Sequence, residues 1–259
     1  MILDDDLQKI KRDFEDYVAD FSSPEKAFQQ NIEVKKKHSR EVMKNAAHLA
    51  EALNLERNDI RLASVIGILH DIGRFEQFKK YHTFSDKKSE NHALLSVKVI
   101  ERDQLLDDLD AHEQELVKKA IACHNMKEIP GNLTEREQLF CNLIRDADKL
   151  DIWRVVTDYY CQMEKEPNNA LQLDLPDTPG YSKVNLQDIM EERIVDLQNL
   201  QNLNDFKLLQ VGWIYDLNFK ESLGMLKERG YMKTLLDTLP DNEELGKMKL
   251  KVNQYLNQS

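Results

Sequence analysis

Apolar residues return every three or four positions along almost the whole chain, and no segment alternates apolar and polar residues as a half-buried strand does. That period gathers apolar side chains on one face of an α-helix, so the chain is expected to build an all-α fold. Residues 5–22 set the pattern, with Leu7, Ile10, Phe14, Val18 and Phe21 on one stripe. A second, short helix is expected with Ser23 as N-cap and Pro24 at the first helical position, where the missing N–H costs nothing. "HSREVMKNAAHLAEALNL" (38–55) gives a third, aligning Val42, Ala46, Leu49 and Leu53. Asn58 or Asp59 opens a fourth, whose near-continuous apolar run implies burial on most sides. Further helices are expected at 91–101, 112–124, 134–162, 185–203, 205–228, 231–238 and 241–257. Only 8 glycines and 6 prolines interrupt the 259 residues. Residues 75–90 are aromatic and charged without a clean period. They read as a loop with at most a helical turn, packed onto the fold by Phe75, Phe78, Tyr81 and Phe84. Residues 166–183, with three of the prolines, read as a long loop or short hairpin.

Charge and cysteine content exclude several functions. With 36 basic against 47 acidic residues the formal net charge is −11. That balance argues against coating nucleic acid or binding an anionic membrane. The start, "MILDDDLQKIKR", lacks an apolar signal core, and the run Ala63 to Leu69 is far too short to span a bilayer. Three cysteines with no C-x-x-C pair argue against a disulfide framework and a cysteine zinc site, and imply a reducing cytoplasm.

The polar residues set against apolar helices carry the functional signal. A histidine alone on a helix is usually solvated, and His48 and His112 are read so; His82 is read as surface or lid. His38 is expected to open its helix and reach inward. His70 and Asp71 end the most apolar helix, where burying either side chain unpaired is costly. Neighbours on a helix point about 100° apart, so the two can flank one ion. Imidazole with carboxylate suits zinc, iron, manganese, cobalt or nickel better than calcium. In "LIRDADKLDIW" (143–153), Asp148 stands near the core-facing stripe, while Asp146 and Asp151 are read as either solvated or inward-facing.

The order His38, His70–Asp71, Asp148 resembles the HD-domain (His-Asp) superfamily of metal-dependent phosphohydrolases, over roughly residues 33–160. "HSREVMKNAAHLA", "ILHDIGR" and "RDADKLD" carry the resemblance, and the aspartate–basic–apolar pattern selects Asp148 within the last. The resemblance implies an HD-domain helical bundle over residues 33–162; the residues before it, 1–32, are expected as an N-terminal helical extension, and the wide apolar faces of the helices after it place the loop and C-terminal helices over 163–259 on the same core. It implies that His38, His70, Asp71 and Asp148 bind a divalent metal. "ENHALLSVKVI" and "AIACHNMKEIPG" add His92 and His124, matching a longer order that holds a second metal in some branches; the alternative reading is that either histidine binds substrate phosphate or water. One or two ions are thus expected, with Mn, Fe, Co, Ni, Zn and Mg all open. Where the cyclic-dinucleotide-cleaving branch has a histidine pair and Gly-Tyr-Pro, this chain has Cys123-His124 and Ile129-Pro130-Gly131.

The implied reaction is hydrolysis of a phosphomonoester or phosphodiester, in a nucleotide or related small molecule. Asp71 serves as catalytic carboxylate, and Arg74 and Lys149 as catalytic and substrate-binding cations on phosphate oxygens. Two alternatives stay open: a di-iron oxygenase of the same bundle type, and a ligand-binding module without catalysis. The expected partner is the small-molecule phosphate ester, and an oligomer is compatible with the sequence.

Overall fold

A computed structural model describes residues 2–163 and 168–258. Twelve α-helices form among these: α1 (Asp4–Ala19), α2 (Lys26–Ala52), α3 (Arg57–Leu69), α4 (Gly73–Tyr81), α5 (His92–Arg102), α6 (Ala111–Cys123), α7 (Glu135–Tyr160), α8 (Lys183–Met190), α9 (Leu203–Gly212), α10 (Lys220–Arg229), α11 (Tyr231–Asp237) and α12 (Glu243–Gln258). Single 3₁₀ segments stand at Asp86–Lys88, Leu197–Asn199 and Trp213–Asp216. No strand occurs among the described residues, so the all-α expectation holds. The chain divides into two compact units, Met1–Asp151 and Ile152–Ser259, the division falling inside α7.

Within the first unit α3 is the centre. Every residue from Leu62 to Leu69 is buried, and the helix packs against α1, α2 and α6. α5 lies between α4 and α6. Asn45 of α2 donates to the Ala147 carbonyl of α7 at 3.1 Å, tying those helices together. Two close approaches depend on absent side chains. A Cβ on Gly67 would fall 2.7 Å from the Met43 Cα of α2, and one on Gly73 would fall 2.5 Å from the Ser96 backbone nitrogen of α5. In the second unit α8 packs on α9 and α12, and α11 on α9 and α10. Trp153 donates its indole N–H to the Gln210 carbonyl at 2.9 Å, while the Tyr160 hydroxyl bonds the same residue's side chain at 3.1 Å.

Several boundaries differ from the sequence reading. The short helix after Ser23 and the helix from His38 are one element, α2, capped by Glu25 rather than Ser23. Nothing in "KAFQQNIEVKKK" breaks a helix, so His38 lies mid-helix and not at an end. Residues 73–81 are helical where a loop was expected. Phe75 and Phe78 turn inward one turn apart, and buried Gln77 hides the period by bonding Asp86, Ser89 and Glu90 instead of water. His82 then ends α4 at φ 54°, a left-handed cap. α3 opens after Glu56, not at Asn58 or Asp59. The helix expected over 185–203 stops at Met190, and that over 205–228 is broken by the 3₁₀ turn and by residues 217–219. Residues 168–182 form turns and irregular backbone; positions 166 and 167 of that expected loop lie outside the described residues. Cys123, Cys141 and Cys161 are free, and no helix among the described residues is long and apolar enough to cross a membrane.

Because the atoms a Gly67 side chain would meet are backbone, α2 and α3 would have to separate to admit one. Gly67→Ala is expected to cost about 1–3 kcal/mol, read as a lower urea midpoint at unchanged slope. A variant as stable as the parent would show that the two helices do not pack at this distance.

Candidate metal centre

Six donor residues meet inside the first unit. His38 comes from the middle of α2, and His70 and Asp71 directly follow the buried end of α3. His92 is the first residue of α5, held by the Asn91 cap. His124 caps the end of α6, and Asp148 projects from α7. Three overlapping groups each place one donor atom per residue within 4.8 Å of the others: His38, His70 and Asp71; His70, His124 and Asp148; Asp71, His92 and His124.

The imidazoles are all turned the same way. His38 Nδ1 pairs with Asp151 Oδ2 at 2.7 Å, His70 Nδ1 with the Gly67 carbonyl at 2.8 Å, His92 Nδ1 with Asp86 Oδ2 at 2.7 Å, and His124 Nδ1 with the Ile121 carbonyl at 2.7 Å. Each partner is an acceptor, so each Nδ1 carries a proton and each Nε2 is the nitrogen turned toward the cluster. Holding the far nitrogen of a histidine to a carboxylate or carbonyl is how metal-binding imidazoles are oriented.

The Nε2 atoms converge, and two of them are left with no hydrogen-bond partner. His38 Nε2, His70 Nε2, Asp71 Oδ1 and Asp148 Oδ1 are buried with no hydrogen-bond partner. His38 Nε2 lies 3.1 Å from Asp148 Oδ1, but off the line a hydrogen bond requires. The Nε2 atoms of His92 and His124 face each other at 3.0 Å. Two lone pairs at that distance repel unless a cation lies between them, and two nitrogens about 2.0–2.1 Å from one ion sit about 3 Å apart. The residues present therefore fit a divalent metal.

Asp71 joins the groups. Its Oδ2 faces His38 at 3.6 Å and His70 at 3.8 Å, while its Oδ1 faces His92 at 3.5 Å and His124 at 3.8 Å. Burial would raise its pKa, yet Lys35, His70, Arg74 and His92 hold it well below the usual carboxylate range. For Asp148 burial is likewise outweighed, by His38 and His70. Burial and the Arg74 charge push His92 down; burial with His92 and His70 pushes His124 down to about 3. Ionised carboxylates and neutral imidazoles are the protonation states a metal requires. His38 differs: burial and Lys35 lower its pKa, but Asp148 and Asp151 overcome them and raise it to about 9.

The two proposed anion contacts stand differently. Arg74 Nη1 donates to Gln77 Oε1 at 2.8 Å, the Phe84 carbonyl at 2.6 Å and Asp86 Oδ1 at 3.1 Å, which fixes the guanidinium with Nη2 3.3 Å from His92 Nε2. Lys149 follows Asp148 on α7 and is 8 % exposed. His48 and His112 are exposed, as their solvated reading requires, and His82, read as surface or lid, is exposed too. Phe75, Phe78 and Phe84 are buried and Tyr81 half-buried, so the aromatics pack residues 75–84 onto the fold.

Three residues of the site escaped the sequence reading. Asp151 is 1 % exposed and orients His38; Asp146, left open with it, is 0 % exposed. Asp86 receives His92, Arg74, Gln77 and Asn125, and His92, Arg74 and Gln77 outweigh burial to bring its pKa to about 2. Lys35 Nζ lies 2.8 Å from Asp71 Oδ2. The position of Asp151, three residues after Asp148 on one helix, is the one signal that pointed to it.

Asp151→Asn and Asp86→Asn are each expected to weaken Mn²⁺ binding roughly 10- to 100-fold, measured by titration of the metal-free protein; unchanged affinity in both would remove the orienting role. The raised His38 pKa stabilises the metal-free fold below the ordinary value of 6.5, a contribution lost as pH rises through about 9. A metal ion must displace that proton. Mn²⁺ affinity is therefore expected to rise with pH up to about 9 and binding near neutral pH to release protons, seen as a buffer-dependent binding heat.

An HD-domain family model matches residues 36–153, a stretch that contains all six donor residues. Searches of curated proteins and of solved structures returned no match. The HD-domain family consists mostly of metal-dependent hydrolases. Its eponymous pair is here His70–Asp71, placed at the point that every other donor faces. Residues 36–153 are an HD domain.

Proposed function

We propose that this protein is a metal-dependent phosphohydrolase that cleaves a phosphomonoester or phosphodiester bond of a nucleotide or related small molecule. The observation that carries the reading is the convergence of four imidazole Nε2 atoms and the Asp71 and Asp148 carboxylates, with every Nδ1 already held by an acceptor. His38, His70, Asp71 and Asp148 would hold one divalent ion, and Asp71, His92 and His124 a second. A divalent ion in such a site polarises a phosphoryl oxygen and supplies hydroxide at neutral pH.

The chain's own residues supply the rest. Asp71 is held ionised and keeps Oδ1 without a hydrogen-bond partner, so with a single ion at Oδ2 this oxygen would take a proton beside the scissile bond. Arg74 presents a planar fork fixed on three acceptors, with its Nε buried and unbonded. A fork fixed in this way binds phosphate oxygens at little further entropic cost. Lys149 adds a second positive charge next to Asp148. In a protein of net charge −11 these cations supply the local positive field an anionic substrate needs.

The test is elemental analysis of the purified protein together with phosphate release from a set of nucleotides, sugar phosphates and phosphodiesters. Stoichiometric metal and phosphate release are expected, both lost in His70→Ala and Asp148→Ala, with activity falling at least about 100-fold. His92→Ala and His124→Ala are expected to lower the metal content toward one ion per chain. Bound iron with dioxygen consumption and no phosphate release would instead favour the oxygenase alternative. No stoichiometric metal, with activity unchanged in both variants, would sink the proposal.

A further inference from the structure

Lys35 is a cation at the centre that neither the sequence motifs nor the family resemblance singles out. It stands on α2 three residues before His38, so both side chains leave the same face of one helix. Its Nζ lies 2.8 Å from Asp71 Oδ2, the oxygen that also faces His38 and His70. The ammonium thus lies against the carboxylate oxygen that a metal held by those histidines would take.

Two cations flank Asp71, and they are held differently. Arg74 approaches Oδ1 with Nε at 3.5 Å, and its fork is fixed on Gln77, the Phe84 carbonyl and Asp86. Lys35 has no such anchorage: Asp71 is its one hydrogen-bond acceptor among the described residues. Its ammonium also stands 5.3 Å from the Phe84 ring centroid, and the Arg74 guanidinium carbon stands 5.9 Å from the same centroid. A ring face attracts a cation without fixing its direction. The Lys35 side chain is 16 % exposed, against 4 % for Asp71. A lysine is a point charge on a flexible stem with three rotatable donors, and it can change partners by turning its last bonds.

We propose that Lys35 is an exchangeable counter-ion of Asp71: a divalent ion displaces it from Oδ2, and the released ammonium then binds the phosphate group of the substrate. This rests on reading the cluster as a divalent-metal centre that acts on a phosphate ester. Two like-charged cations do not share one carboxylate oxygen, so occupancy by the metal and by Lys35 is competitive. The displaced ammonium stays next to Arg74 through Phe84, and together they present two positive charges to one anion. Metal and phosphate consequently bind with positive coupling, and the coupling passes through one side chain.

The experiment compares wild type with Lys35→Met, which keeps the stem and removes the charge, and Lys35→Arg, which keeps the charge; circular dichroism and thermal midpoint confirm that each folds. Mn²⁺ binding to the metal-free proteins is measured by calorimetry, then orthophosphate binding with and without saturating Mn²⁺. Removing the competing charge is expected to tighten Mn²⁺ binding about fivefold in Lys35→Met. Orthophosphate binding to the Mn²⁺-loaded protein is expected to weaken at least about tenfold in that variant. Lys35→Arg is expected to stay close to wild type in both. Mn²⁺ binding no tighter in Lys35→Met, or orthophosphate binding undiminished, overturns the proposal. Neither measurement uses turnover, so a wild-type protein that binds Mn²⁺ and phosphate in this way but hydrolyses no ester would overturn the functional reading and leave the exchange standing.

Discussion

The centre depends on where four imidazole protons are. Each ring is tied at Nδ1, two by carboxylates and two by backbone carbonyls at the ends of their own helices. Free rotation about the last side-chain bond would scatter the lone pairs; the ties direct them to one volume. The two carbonyl ties require His70 and His124 to sit just past a helix C-terminus, where carbonyls lack helical partners. The ends of α3 and α6 therefore belong to the chemistry as much as to the fold. The desolvation of so many polar atoms is a cost the apolar surroundings of α3 have to sustain, and the atoms left unbonded show that protein groups alone do not offset it.

The fold was legible because its elements repeat with a clear period and because Gly and Pro are scarce. Where two expectations were merged into α2, the sequence contained two plausible starts and no stop between them; a cap residue marks an opening only if the chain before it cannot be helical. The helix α4 was hidden for the opposite reason: Gln77 is buried for its hydrogen bonds, and a buried polar residue erases the period that burial normally writes. The breaks after Met190 and Gly212 have no proline to announce them.

For the site, the histidines and His-Asp pair were readable because residue types rare inside helices stand there in a fixed order. What supports them was less so. Asp151 shares a face with Asp148 and had a signal that a run of three aspartates blurred. Asp86 lies in an irregular segment, and its role arises entirely from contacts with residues near 74, 92 and 125. Lys35 sits in "KKKH", where three lysines in a row look like a solvated face, yet only the first reaches the aspartate. Supporting residues of this kind obey no spacing rule, because they answer to the three-dimensional position of what they hold.

The donors are drawn from residues 38 to 148, on helices that touch only once the native topology is complete. Long loops must close before any two of them meet, so no partly folded chain presents the full set. Ion retention thus becomes a gauge of topological integrity. Damage that loosens α2, α5 or α7 while sparing their backbone hydrogen bonds would empty the centre first, and a chain that still looks fully helical would already have let go of its metal.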